Sequence, residues 1–280
     1  MITSSMNPRL PATKGLANWA RYSSLRAAID GTGVTTMKVR FLGSGDAFGS
    51  GGRFNTCFLV EAAGGAFLID CGASSLIAMR KFGVDPNGIH TVFVSHLHGD
   101  HFGGVPFLLL DAQFYSRRSA PLTLVGPPGF GQRLIEAMEV FFPGSSKVER
   151  RFATEIREIN DRQTAMVNGV AVTPYVVEHA CGAPPFALRF SCEGKVLAYS
   201  GDTEWTETLL MVGRDADLLI AEALSFDRKI KFHLDYATLK ANLDRIGARR
   251  IILTHMGPQM LSKLAQVPEE VAEDGMLVEV

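Results

Sequence analysis

Between His96 and His101 the chain places four side chains able to hold a metal, in the run Ser95-His96-Leu97-His98-Gly99-Asp100-His101. Neutral imidazole and carboxylate are donors that borderline cations such as Zn²⁺ accept. The apolar stretch Thr91-Val92-Phe93-Val94 directly precedes the run and reads as a strand, a rigid support for a site. His96 and His98 are two apart, so in extended backbone they project to one side. Asp100 and His101 follow a glycine that lets the chain turn, so they can face a second ion. A strand end running into a loop can aim all four groups together, whereas one helix could not.

Further donors occur downstream at the ends of other apolar runs. Of the 7 histidines, which also include His90, His179 ends Val172 to Glu178 and His255 ends Arg250-Ile251-Ile252-Leu253-Thr254. Asp202 sits in Ser200-Gly201-Asp202-Thr203, just after Lys195-Val196-Leu197-Ala198-Tyr199. Each stands where a buried strand meets a loop, the usual place for chemistry in layered α/β folds. His233, between Phe232 and Leu234, reads by itself as a packing residue.

The segment from His96 to His101 resembles the HxHxDH signature of the metallo-β-lactamase superfamily, and the later donors follow in that family's order. The resemblance implies one metal on His96, His98 and His179, a second on Asp100, His101 and His255, and Asp202 bridging them. It also implies a bridging hydroxide as nucleophile, available at neutral pH because of the two cations. Zn²⁺ is the expected metal, with Mn²⁺ or Fe²⁺ as alternatives. True β-lactamases lack a bridging aspartate there, which disfavours lactam hydrolysis. His233, with Glu222 at the end of Leu218 to Ala223, resembles the ribonuclease Z and small cyclic phosphodiesterase branch. In that branch the histidine faces the leaving-group side of the metals, and the glutamate would orient it and raise its pKa. His233, Glu222 and Asp100 are therefore the catalytic candidates.

The amino-terminal part is similar to the same branch. An alternating strand at Lys38 to Leu42 leads into a glycine-rich loop, Gly43 to Gly52, and then a second strand at Cys57 to Glu61. The loop lacks the lysine and following helix of a nucleotide-triphosphate cradle. In the resembled enzymes it borders the metal pocket, which makes Ser44, Asp46 and Asn55 candidates for contact with substrate. Phe67 to Gly72 matches the superfamily strand ending in Asp-x-Gly, where Asp70 would support the metal-binding loop without being a ligand.

The implied fold is a four-layer αββα sandwich, two mixed sheets face to face with helices outside and metals at one edge. Helices are expected at Ser74 to Phe82, Val105 to Tyr115 (buried), Gly131 to Phe142 and Tyr236 to Ile246. Strands are expected at Leu122 to Val125, 151–157, 170–178 and 186–192, with Leu277 to Val280 closing a sheet edge. Residues 37–280 read as one domain. Residues 1–36, rich in Ser, Ala and Arg with Asp30 as sole acid, read as a disordered tail or an over-long start, with a transit-like peptide as the alternative.

Hydrophobic content of 46% supports a substantial core, and the net charge of −1 gives no global pull toward nucleic acid. The cysteines Cys57, Cys71, Cys181 and Cys192 show no framework spacing, which reads as reduced thiols and a cytoplasmic enzyme. No apolar run approaches the roughly 18–20 residues that span a membrane. tRNA-processing members of the resembled branch carry a long arm between the third-motif histidine and the bridging aspartate. Here that interval holds only one hairpin. The resulting expectation is a phosphodiesterase acting on a small or cyclic phosphodiester. tRNA 3′-end cleavage is the first alternative, with RNA as its substrate, and a lactonase or thioester hydrolase is the second. The resemblance also raises a homodimer.

Overall fold

The computed structural model describes residues 37–62 and 64–280, so the expectations for residues 1–36 lie outside the described residues. The first sheet has the order β14-β1-β2-β3-β4-β5-β6. Its strands are β1 (Lys38–Gly43), β2 (Cys57–Ala62), β3 (Gly65–Ile69), β4 (Ile89–Phe93), β5 (Leu122–Gly126), β6 (Thr154–Glu158) and β14 (Leu277–Glu279). The second sheet has the order β13-β12-β11-β10-β9-β8-β7. It comprises β7 (Ala165–Val167), β8 (Val170–Val176), β9 (Phe186–Cys192), β10 (Lys195–Tyr199), β11 (Leu218–Glu222), β12 (Ile251–Thr254) and β13 (Glu270–Val271). Both sheets are mixed: β3 to β6 run parallel, as do β10 to β13, while the remaining neighbours are antiparallel.

Period-two alternation of apolar residues builds the layers, because successive side chains leave opposite faces of a strand. Phe41, Phe58, Phe67, Phe93 and Val125 of the first sheet meet Leu188, Phe190, Tyr199, Ile220 and Ile252 of the second. Edge-to-face rings join the sheets, Phe58 to Tyr199 at 5.3 Å and Phe93 to Phe190 at 5.1 Å between centroids. Their neighbours along each strand, Leu42, Leu59, Leu68, Val92 and Leu124, face outward. There they pack on the helices α1 (Ser75–Lys81), α3 (Val105–Leu110) and α4 (Phe130–Phe141). Between α1 and α3 lies the one-turn helix α2 (Gly99–Phe102). On the other outer face Leu219 and Leu253 meet α5 (Thr208–Gly213), α6 (Tyr236–Lys240), α7 (Leu243–Ile246) and α8 (Pro258–Leu261). The result is the expected αββα sandwich.

Several local expectations change. The helix expected from Tyr236 to Ile246 breaks into α6 and α7, because Asn242 leaves helical geometry at φ −118°, ψ 1°. The helix expected to be buried from Val105 to Tyr115 ends as a π-helical turn at Asp111–Tyr115, with Phe114 62% and Tyr115 77% exposed. β6 begins at Thr154, later than expected, and β8 stops at Val176, so His179 sits in the loop beyond it. β14 closes the first sheet against β1, as expected.

Candidate metal centre

The parallel strands bring their carboxyl ends to one edge of the sandwich, and the candidate ligands follow directly from them. His96 and His98 lie beyond β4, Asp202 beyond β10 and His255 immediately after β12. Asp100 and His101 sit on α2, not in a loop, with His98 as its extended first cap. Gly99 does not supply the turn: a Cβ there would meet nothing within 4 Å and its φ is not left-handed. The glycine that matters is Gly72, where a Cβ would lie 2.1 Å from Asp100 O. That close approach lets Cys71 N donate to His101 O at 2.6 Å and Gly104 N to Cys71 O at 2.8 Å, which clamps α2 under the site.

Two groups of donors form. The nitrogens of His96, His98 and His179 lie within 4.8 Å of one another, as do donor atoms of Asp100, His101, Asp202 and His255. Asp202 stands between them, Oδ1 3.3 Å from His101 Nε2 and Oδ2 3.4 Å from His255 Nε2 and 3.9 Å from His96 Nε2. Asp100 Oδ2 lies 3.2 Å from both His101 Nε2 and His255 Nε2. A third group joins Asp202 and His255 to Glu222 and His233.

Outer hydrogen bonds fix the tautomers. His101 Nδ1 donates to Asp70 Oδ2 at 2.7 Å and His179 Nδ1 donates to Phe232 O at 2.8 Å, so each Nε2 is left as an electron-pair donor. Asp70 is itself held by Ser95 N at 2.7 Å and Ser95 Oγ at 2.8 Å, in a left-handed backbone at φ 59°. His255 is likewise left-handed at φ 58°, its N–H donating to Ser44 O at 3.1 Å. Strain of this kind persists only where surrounding contacts hold it.

The chemistry of the donors fits cations. His96 Nε2, His101 Nε2 and Asp202 Oδ1 are buried and have no hydrogen-bond partner. Burial pushes the His96, His98 and His179 pKa values down, toward the neutral form a ligand requires. At His101 and His255 burial is outweighed by the carboxylates, Asp202 foremost, and His255 is pushed up to about 9. Burial works against ionisation of Asp100 and Asp202, yet His101 and His255 hold both carboxyls well below the usual range. A cluster of two carboxylates with imidazoles that would otherwise retain protons is what divalent cations neutralise. The histidine and aspartate clusters fit a dinuclear metal site.

His233 Nδ1 lies 2.5 Å from Glu222 Oε1 and 3.9 Å from Asp202 Oδ2. The Glu222 bond raises the His233 pKa against the effect of burial. Glu222 is wholly buried and raised by that burial and by Asp202, while its Oε2 accepts from Thr203 N at 2.7 Å and Leu234 N at 3.3 Å. Asp46, Phe48, His98, Asp100 and His233 are among the walls of a cavity of about 210 Å³ over the donors.

Of the glycine-rich-loop candidates, Asp46 lines that wall, while the side-chain bonds of Ser44 and Asn55 are made to the protein's own groups. Ser44 is wholly buried, its N and Oγ both donating to Asp274 Oδ1 at 2.9 Å. Asn55 Nδ2 donates to Asp46 O at 3.1 Å and its N to Ser74 Oγ at 2.7 Å. Both build the loop. Asp274 carried no local sign of this role, since it acts from the far end of the chain. Phe48, 93% exposed beside the donors, could have been found from its position among glycines.

Fold and donor set together define a metallo-β-lactamase-fold, metal-dependent hydrolase of the ribonuclease Z-like branch. The chain belongs to the family described as anti-Pycsar protein Apyc1, whose model matches residues 37–272. It is 25% identical over 300 residues to the ribonuclease Z of Methanosarcina acetivorans, covering 87% of this chain and 98% of the relative. Among solved structures, human tRNase Z, short form, aligns with a TM-score of 0.68 at 25% identity over 86% of this chain and 98% of its own. A diphosphatase from the PhnP family shares the fold with a TM-score of 0.70 at 18% identity, over 87% and 98% of the two chains.

Proposed function

We propose that the protein is a dinuclear metal-dependent phosphodiesterase that hydrolyses a small or cyclic phosphodiester. The observation that carries this reading is the Glu222–His233 pair, 2.5 Å apart, beside Asp202 at the wall of the donor cavity. His96, His98 and His179 would hold one cation, Asp100, His101 and His255 the other, and Asp202 both, with Zn²⁺ the metal the nitrogen and oxygen donors suit best. Bound there, the cations would supply a nucleophile from water at neutral pH and neutralise charge on the non-bridging phosphate oxygens.

The rest of the chemistry falls to the chain. Glu222 occupies His233 Nδ1, which leaves Nε2 as the nitrogen available to the cavity. Because Glu222 favours the imidazolium, His233 can donate a proton from Nε2 to the departing alkoxide. Asp70 and the Phe232 carbonyl keep the His101 and His179 rings in register.

A second reading, tRNA 3′-end processing, is supported by the relatives named ribonuclease Z. Against it, the interval from His179 to Asp202 is filled by β9 and β10, paired from Cys192 and Lys195 to Leu188 and Tyr199. Hydrolysis of 2′,3′-cyclic nucleotides and bis(p-nitrophenyl) phosphate by metal-loaded protein tests the first reading. Cleavage only of a 3′-extended tRNA precursor would replace it by the second.

A further inference from the structure

Between β13 and β14 the chain crosses from the edge of one sheet to the edge of the other, through residues 272–276. β13 runs parallel to β12, so the crossing starts at the sandwich edge where His255 follows β12. Ala272 N donates to Leu253 O at 2.8 Å as it begins, and Gly275 N donates to Phe41 O at 2.7 Å as it ends. Gly275 is left-handed at φ 88°, and a Cβ there would lie 2.7 Å from Phe82 Cε1, a turn that suits glycine. Asp274 is therefore held by backbone bonds on both sides.

Its carboxylate spends both oxygens on the glycine-rich loop. Oδ1 accepts from Ser44 N and Ser44 Oγ, each at 2.9 Å, and Oδ2 accepts from Phe54 N at 2.8 Å. One side chain thus clasps both limbs of the loop, which approach so closely that a Cβ on Gly43 would fall 1.9 Å from Asn55 O. The other side of Ser44 reaches the donors. Its carbonyl accepts from Thr254 Oγ1 at 3.4 Å and from His255 N at 3.1 Å. His255 has a left-handed φ of 58°, which a side-chain-bearing residue keeps only where surrounding contacts impose it. From that backbone its Nε2 comes within 3.2 Å of Asp100 Oδ2 and 3.4 Å of Asp202 Oδ2.

We infer that Asp274 is a positioning residue for the second cation: by fixing Ser44 it holds the His255 backbone in the conformation that presents Nε2 beside Asp100 and Asp202. The inference rests on the dinuclear reading and concerns one of its two ions. His96, His98 and His179 stand beyond β4 and β8, on loops this linkage does not touch.

Competition between metal-free protein and a chromophoric chelator for Zn²⁺ measures both affinities. Asp274→Ala is expected to weaken one equivalent roughly 10- to 100-fold, the usual worth of an outer support to a metal ligand, and to leave the other unchanged. In a His255→Ala background, where that ligand is already gone, the same substitution is expected to cost the remaining ion nothing. Equal loss at both sites, loss at neither, or a further loss in the His255→Ala background would overturn the inference. Should Asp274→Ala fail to fold, Asp274→Asn carries the test, because its amide oxygen can still accept from Ser44: a smaller loss confined to one equivalent supports the inference, and any other pattern overturns it. If the unaltered protein binds fewer than two ions, the dinuclear reading fails separately. Amide hydrogen exchange in metal-free protein then decides the linkage. Faster exchange at His255 in the Asp274 variant, with His101 unchanged, supports it, and unchanged exchange at His255 overturns it.

Discussion

Replacing His233 by alanine separates proton donation from metal binding, because its Nδ1 is committed to Glu222 and lies 3.9 Å from the nearest Asp202 oxygen. Metal content is expected to stay at two ions per chain, while kcat for diesters with poor leaving groups falls by roughly 10²–10⁴-fold, the contribution of a positioned general acid. That range corresponds to about 3–5 kcal/mol of transition-state free energy. The loss should shrink for p-nitrophenolate, which departs without a proton. Stability should also drop, since Glu222 Oε1 loses its 2.5 Å partner and finds His255 Nδ1 only at 3.6 Å. A buried acceptor deprived of its donor costs about 1–3 kcal/mol. Steady-state kinetics across a leaving-group series, with elemental analysis of the same preparations, measures both effects. Loss of metal from His233→Ala would make His233 a ligand, and an unchanged rate on every phosphodiester would make it a packing residue.

Asp202→Ala should abolish nearly all activity and lower metal occupancy, because the two cations would repel without the carboxylate between the donor groups; retention of two ions per chain would refute its bridging place. Gly72→Ala should disrupt α2, since its Cβ would fall 2.1 Å from Asp100 O, and elemental analysis should show metal loss greater than for Gly99→Ala, where the space is open. Chelated protein should lose stability as pH rises from about 6.5, the unfolded histidine value, through about 9, the folded value of His255. The imidazolium that Asp202 and Asp100 stabilise is fully present below that window and gone above it, a change of up to about 3 kcal/mol. Urea unfolding at several pH values should show this slope in chelated protein only, because bound cations displace those protons; an equal slope in both forms would contradict the donor assignment.

The sandwich was legible because alternation is strict where one face of each strand meets the other sheet and the second face meets helices. Phe41 beside Leu42 and Phe67 beside Leu68 each divide between the two cores in this way. The donors were legible because His96, Asp202 and His255 follow apolar runs that end at one sandwich edge. Less was legible where distant chain segments decide the outcome. Asp274 fastens Ser44 and Phe54 across the sheet edge, which turned Ser44 from a candidate for substrate contact into a support for the loop. The break at Asn242, whose side chain donates to Thr238 O at 2.9 Å while its own carbonyl accepts from Ile246 N at 3.1 Å, does not show in the apolar spacing of 236–246.

Activity profiling of one metal-loaded preparation across 2′,3′-cyclic nucleotides, aryl phosphodiesters, carboxylic esters and lactones, repeated with Zn²⁺, Mn²⁺ and Fe²⁺, decides between phosphodiester and carbonyl chemistry. The expected result is phosphodiester turnover that depends on the metal and collapses in Asp202→Ala and, for poor leaving groups, in His233→Ala. Turnover of esters or lactones that exceeds phosphodiester turnover and is indifferent to His233→Ala would contradict it.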